Sequence, residues 1–464
     1  MSGWKFSLEP AFVPLVNTSH RKITTKIPVP ESLEIFNVLD RCEAQAMHGQ
    51  LPVVWDRAED FQVYDPYGNC WIDFTSTIFV TNTGHANKAV VEALQKKLND
   101  KLLHTYTFAS SVRAKFLEKL IQITPKQFEK AFLLSAGTEA TECAVKLMRM
   151  HGYSLSSSKN VIISFQGSMH GRTMGAEMLK GDPKTSDWIG YLDPNMLHLP
   201  FPYPWAGRAN ESESYWEEKF LKDMEGLKVR GLDFSNIAGF IIESYLGWGA
   251  VFYPASYIQS LCRFAAEWKA LTAFDEIQGG FGRTGKLFVY EHYGVEPDML
   301  CLGKAISGGL PLSAVMGSRK IMDLPEFGSM SSTHSANPLC CAAGLANLDE
   351  IGSGNIVEES ARKGLILHNF LNDLKNKCSN RISHVLAKGL LAAVLIKNPI
   401  NNEPDGLFAS KVCEKAMQKG LLLVHTGRES IKIGPPLTIT DEALVEGLKV
   451  LEEAIIETDR EDNI

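Results

Sequence analysis

Residues Leu271–Gly317 read LTAFDEIQGGFGRTGKLFVYEHYGVEPDMLCLGKAISGGLPLSAVMG, and two ionisable side chains in that stretch stand where charge is costly. Asp275 ends the apolar run Leu271, Ala273, Phe274, and Lys304 ends the run Met299-Leu-Cys-Leu302. Each pattern predicts a buried strand that delivers a charged residue at its carboxyl end, where open α/β sheets place ligands. The two lie 304 − 275 = 29 residues apart, room for an excursion and a return to a nearby strand.

An amine pressed into an apolar site loses its proton more easily and then condenses with a carbonyl. A nearby carboxylate holds a protonated ring nitrogen. A Schiff-base lysine and an anionic pyridinium partner are the two groups a pyridoxal phosphate site needs. Taken singly, a strand-end lysine and a turn aspartate are ordinary surface residues. The phosphate needs a third feature, and Ala131–Leu134 running into Ser135-Ala-Gly137-Thr138-Glu-Ala140 supplies it. A strand, a small-residue turn and a helix start aim free N–H groups and a hydroxyl at an anion.

The rest of the chain is consistent with an enzyme of this kind. Its 464 residues are enough for a large core and two domains, and 45% hydrophobic with 22% charged residues is ordinary globular composition. A net charge of −7 argues against non-specific nucleic-acid binding, and no apolar run approaches a membrane span. The start, MSGWKFSLEPAFVPLV, lacks the apolar core and cleavage site of a secretory leader. Nine cysteines without CxxC spacing, and twelve histidines without ligand spacing, predict reduced thiols in a cytoplasmic protein and no metal.

Several segments have a local reading. Residues 1–50, rich in proline, read as an arm that crosses another surface, and Leu51–Phe74 as a hairpin about Asp65-Pro-Tyr-Gly-Asn69. Ser76–His85 reads as a loop before a helix bearing Val90, Leu94 and Leu98. Residues 180–235 read as a loop-rich surface excursion whose Phe201-Pro-Tyr-Pro-Trp205 roofs the site. From about 335 the pattern turns helix-rich, ending in a helix near 441–457. Gly280–Gly285 matches GxGxxG, but aromatic and β-branched residues follow it; the P-loop match fails because Leu287 stands where Ser or Thr must hold magnesium. Both matches are set aside.

Assembled, the DEIQGGFGRTGKLF block, the LGKAISGGLPLSAVMG block and Ser332-Thr-His-Ser-Ala-Asn-Pro338 resemble the class III aminotransferases, the ornithine, 4-aminobutyrate and ω-amine branch of the fold-type-I pyridoxal phosphate enzymes. The likeness covers residues 50 to 455. It implies an α/β large domain with a mostly parallel seven-stranded-type sheet and a smaller α+β domain, divided as arm and hairpin 1–75, large domain 76–334 and small domain 335–464. It further implies Lys304 as Schiff-base lysine and proton shuttle, Asp275 on the pyridinium, and Gln278 near the ring hydroxyl. Ser135, Gly137 and Thr138 would hold the phosphate, and Thr333 would reach the phosphate of a neighbouring subunit in a homodimer. Glu243 matches the acid of the family's strand end, with Ser244 in place of a proline.

Three positions depart from the family pattern. Met169, with His170 beside it, stands where an aromatic residue usually stacks on the cofactor. Trp248 replaces a glutamate, and Lys432 replaces its partner arginine. A lysine is a point charge without the bidentate fork. His425 and Arg428 are further candidate carboxylate contacts, and Trp248 with Ile78 and Phe79 a candidate apolar pocket. The implied function is ping-pong transfer of an amino group between an amine or ω-amino acid and a keto acid or aldehyde. A racemase, epimerase or lyase using the same lysine is the alternative, and a scaffold that has lost catalysis is a third reading.

Overall fold

In the computed structural model, which describes residues 4–205 and 212–462, the centre is a seven-stranded sheet. Its order across the sheet is Lys130–Leu134, Ser313–Gly317, Met299–Leu302, Leu271–Asp275, Ile237–Glu243, Val161–Phe165 and Met196–Leu199. Only Ser313–Gly317 runs antiparallel to its neighbours. The central strands are buried along their whole length, as parallel strands covered on both faces must be. Helix Gly137–Leu155 covers one face through Ala140, Cys143, Ala144, Leu147 and Met148, and Ala255–Glu267 lies in the other core.

A second core surrounds the antiparallel sheet Ile382–Lys388, Leu391–Ile396, Ser430–Ile433 and Val424–His425, packed by helices Ile356–Lys377, Gly406–Gln418 and Asp441–Asp462. The hairpin Gln62–Tyr64 and Cys70–Asp73 forms as its turn residues predict, and Arg57–Glu59 adds a third strand. Leu421–Leu422 pairs in parallel with Cys70–Asp73, so this N-terminal sheet joins the carboxyl-terminal part of the chain. Helix Pro338–Ser353 buries Cys340, Cys341, Leu348 and Ile351 in the first core.

Two segments differ from their sequence reading. Residues 180–235 are not mainly loop: they hold the edge strand Met196–Leu199 and the helix Glu213–Val229, which buries Phe220, Met224 and Leu227. Trp216, Phe220, Met224 and Leu227 fall at helical spacing, but Tyr215, Leu221 and Val229 lie off that stripe and blur the period. The arm contains helix Leu33–Cys42, whose stripe Ile35, Val38 and Leu39 is exposed in this chain. Among the described residues no helix is long and apolar enough to cross a membrane.

Candidate active site

Three central strands end side by side. Asp275 pairs in register with Glu243 on one side and Cys301 on the other, and Lys304 follows three residues beyond Cys301. Asp275 Oδ2 lies 2.9 Å from His170 Nδ1, and its Oδ1 accepts the Ile277 N–H at 3.1 Å. Glu243 accepts the N–H groups of Met169 and Gly247, both at 3.0 Å. Burial pushes Glu243 up to about 7 against the pull of His170, and the Asp275 charge adds to the rise.

Lys304 opens a short 3₁₀ turn with a left-handed φ of 45°. Its side chain stays half-buried, and its surroundings lower its pKa, offset by Asp275 and Glu243. The preceding glycine presses against the helix start: a Cβ built on Gly303 would lie 3.7 Å from the Cα of Gly137. The backbone just before Lys304 and the helix start thus lie side by side, from positions far apart in the chain.

At that terminus Glu139 turns back to accept the N–H groups of Ser135 and Ala136, both at 2.8 Å. The first-turn N–H groups of Gly137 and Thr138 have no protein acceptor among the described residues, and Ser135 Oγ is buried without a partner. Thr138 Oγ1 lies 2.6 Å from Thr173 Oγ1. Gly171 lets the His170 loop pass this cup, since a Cβ there would sit 2.1 Å from Thr138 Oγ1. His170 Nε2 is also buried without a partner. An unprotonatable set of anion donors, a carboxylate and an amine fits a phosphorylated pyridine aldehyde.

The opposite wall is built differently. Lys432, 3% exposed, places Nζ 2.9 Å from Gln278 Oε1, which also accepts Tyr245 Oη at 2.9 Å. The same Nζ lies 4.6 Å from the Phe79 ring centre. Burial pushes Lys432 down to about 7, with Glu243 opposing and Lys304 reinforcing. Phe79 belongs to a turn that the sequence reading treats as plain loop. Ser76, Thr77, Ile78 and Phe79 have φ of 45°, 51°, 62° and 67°, a left-handed helical turn closed by Phe79 N–H to Thr75 O at 3.0 Å and Val80 N–H to Ser76 O at 2.8 Å. Such backbone costs L-residues about 1–2 kcal/mol each, and Thr and Ile are poor occupants.

Farther out, Arg428 stacks 3.7 Å over the Trp248 ring, and Ser430 Oγ donates to Trp248 O at 2.7 Å. Tyr203 of the expected roof lies beside them: burial raises its phenol while the Arg428 cation pulls it down. His425 is not part of this wall. It pairs with Ile431 in register, so it faces away from Lys432, and its ring nitrogens meet Ser410 Oγ at 2.9 Å and Gly49 O at 3.3 Å. Met169 is 43% exposed, free on one side. Thr333 lies on the surface, its carbonyl 2.8 Å from His104 Nε2, and is not brought to Lys304 within this chain.

Sequence reasoning missed Tyr245, Thr173 and above all Arg283, which sits fully buried inside the GxGxxG match that was set aside. The signal for Arg283 was present in an unlikely form, a charged residue between glycines directly after a buried strand.

Comparison with known proteins identifies the family. The profile of the class-III aminotransferases matches residues 44–455. A 2-aminoadipate transaminase of Pseudomonas putida is 34% identical over 417 residues, 88% of this chain and 96% of its own. An ornithine aminotransferase of Emericella nidulans is 32% identical over 412 residues, covering 88% and 87%. Among solved structures, a transaminase from the marine bacterium Virgibacillus superposes with a TM-score of 0.83 at 25% identity, over 92% of this chain and 99% of that one. The chain belongs to the class-III aminotransferases.

Proposed function

We propose that this aminotransferase uses pyridoxal phosphate, with Lys304 and Asp275 as its catalytic residues, to move an amino group between an amine or ω-amino acid and a keto acid or aldehyde in two half-reactions. The observation that carries the reading is the meeting of Lys304 and the Gly137 helix start beside the in-register carboxylates Asp275 and Glu243.

Pyridoxal phosphate, when bound, supplies a carbonyl that carries the amino group and a ring that takes up an electron pair. The chain does the rest. Gly137 and Thr138 N–H groups, with Ser135 Oγ, hold the phosphate, and Thr333 completes that cup for a second subunit. Asp275, oriented by His170 and Ile277, keeps a proton on the ring nitrogen. Gln278 has two donors on Oε1, which leaves its Nε2 for the ring hydroxyl. Met169 and His170 cover the ring face, and Glu243 fixes Met169 through its N–H. Lys304, inclined by burial towards the neutral amine, takes and returns a proton at Nζ.

Ile78, Phe79, Trp248, Arg428 and Lys432 form the substrate wall in this reading; His425 is left out of it. We divide the chain at 1–75, 76–353 and 354–464, which moves helix Pro338–Ser353 to the larger unit. A homodimer is supported by exposed apolar side chains on the arm and near the Thr333 loop, among them Phe12, Leu15, Phe108 and Phe327. Nine unpaired cysteines support a reducing compartment such as the cytoplasm.

The test is the visible spectrum of the purified protein while glutamate, alanine, 4-aminobutyrate, a diamine and an arylalkylamine are added separately. One donor is expected to bleach the cofactor band, and a keto acid to restore it. A band that no donor converts overturns the reading in favour of a racemase or lyase.

A further inference from the structure

Arg283 is a buried cation whose hydrogen-bond acceptors are all neutral. Its side chain is fully buried, and it donates to Pro435 O at 2.5 Å, Leu390 O at 3.2 Å, Asn82 Oδ1 at 2.6 Å and Ser76 Oγ at 3.2 Å. Burial pushes the guanidinium down to about 9. A buried charge is expensive when no carboxylate bonds to it directly and only the nearby Asp73 charge offsets the burial, so these contacts need an explanation beyond packing.

The four acceptors lie on three separate stretches of chain, and two of these meet at the left-handed turn. Ser76 Oγ accepts from Arg283 and donates to Gly434 O at 2.6 Å, while Arg283 donates to the next carbonyl, Pro435 O. The guanidinium also lies 5.3 Å from the centre of the Phe79 ring, the ring that carries Lys432 at 4.6 Å. Gly434 closes the stack, because a Cβ there would be 1.9 Å from Phe79. Turn, ring and strand end are therefore one connected unit with Arg283 at its hub.

We propose that Arg283 is a positioning residue for transamination: by tying Ser76 to the Gly434–Pro435 backbone, it holds the strained turn Ser76–Phe79 as a fixed wall of the substrate pocket beneath Lys432. No residue from Ser76 to Phe79 is glycine or asparagine, so local support is limited to the Thr75 hydroxyl accepting the Thr77 N–H at 3.1 Å and Thr77 Oγ1 donating to Ser76 O at 2.7 Å. Freed of the bridge, the turn relaxes to right-handed or extended conformation, and Phe79 and Ile78 move off the pocket. Arg283 acts through these residues and touches no reacting atom. The inference rests on the reading that Ile78, Phe79 and Lys432 face substrate.

Ser76→Ala and Arg283→Met, each with and without Thr77→Gly, test it on the cofactor-loaded enzyme. A misplaced wall weakens ground and transition states together, so Ser76→Ala is expected to raise the donor KM about tenfold with kcat within about threefold and the cofactor band unchanged. Adding Thr77→Gly, which takes left-handed backbone without strain, is expected to bring KM back to within about threefold. It is also expected to raise the thermal midpoint of Ser76→Ala, although glycine in a loop ordinarily lowers it. An Arg283 that only glues segments together would leave the midpoint gain from Thr77→Gly the same in the parent and in Ser76→Ala, and would give no KM effect for glycine to reverse. Unchanged KM in Ser76→Ala, or no rescue, overturns the proposal; if Arg283→Met does not fold, the Ser76→Ala pair decides. Should the parent enzyme convert no donor, the functional reading fails on its own, and the difference between the Thr77→Gly midpoint shifts in the parent and in Ser76→Ala still decides whether Arg283 braces the turn.

Discussion

Asp275 and Glu243 stand on the ends of regular strands, with Lys304 in the short turn two residues past a third, whereas Ile78 and Phe79 stand on a left-handed turn and Lys432 on a strand of the other sheet. On the first side, ladder hydrogen bonds set the register, and neighbouring carboxylates follow from it. The second side depends on contacts between distant segments: Lys432 to Gln278, Ser76 to Gly434, Arg283 to Pro435. In the proposed reading, groups whose geometry must not vary sit on the part of the fold that varies least, and groups that would choose the substrate sit where one substitution reshapes a wall.

If that division holds, substitutions on the strand ends should abolish chemistry without disturbing the fold. Lys304→Ala is expected to keep the parent's thermal midpoint within a few degrees and to lose turnover by at least about 10⁴-fold, since covalent attachment and proton transfer both go. Normal steady-state turnover with any donor would break the assignment. Asp275→Asn comes next. A neutral amide no longer favours the ring proton, so kcat should fall about a hundredfold and cofactor should leave more readily on dialysis. Its retention at parental rate and loading would detach Asp275 from the ring.

The same division explains what the sequence makes legible. Asp275 and Lys304 show because an apolar run ending in charge is improbable away from a site, and Gly137-Thr138 shows because a strand feeding a small-residue helix start has one recognisable form. Lys432 shows through the two prolines after it, but its acceptor Gln278 is 154 residues away, and no local pattern encodes that contact. Ser-Thr-Ile-Phe at 76–79 gives no sign of a left-handed turn, since its backbone is imposed by Arg283 and Gly434 from outside. Arg283 itself was hidden by a motif that resembles a nucleotide loop. In the helix Glu213–Val229, Phe220, Met224 and Leu227 are buried and Trp216 packs beside them, a stripe blurred by the off-stripe Tyr215, Leu221 and Val229.

A smaller effect sharpens the contrast on the second side. Gly434→Ala forces a methyl towards the Phe79 ring, 1.9 Å from it as the backbone stands. Overpacking of this kind costs about 1–3 kcal/mol. The expected result is a lower thermal midpoint and a raised donor KM, while the Lys304 cofactor band keeps its position and intensity. A band that shifts as much as KM would show that the two sides are not mechanically separate.

Lys432 offers the smallest and most diagnostic effect, because its charge is poised. Burial brings its pKa from 10.5 to about 7, so between those values the unfolded chain holds a proton that the folded chain has released. Stability therefore rises with pH across that window, and the burden of burying the cation is complete below about 7. Lys432→Met removes the burden, so its gain in thermal midpoint should be largest at pH 6 to 7 and fade towards pH 10. Function should run the other way. If the protonated amine binds a substrate carboxylate, kcat/KM for a keto acid should fall as pH rises through 7, by up to roughly tenfold per unit. Lys432→Arg stays charged and should flatten that profile, whereas a carboxylate-free arylalkylamine donor should show no such slope in either protein. A keto-acid profile that is flat in the parent, or equally steep in the arginine variant, would remove Lys432 from substrate binding and leave it a buried amine held by Gln278 alone.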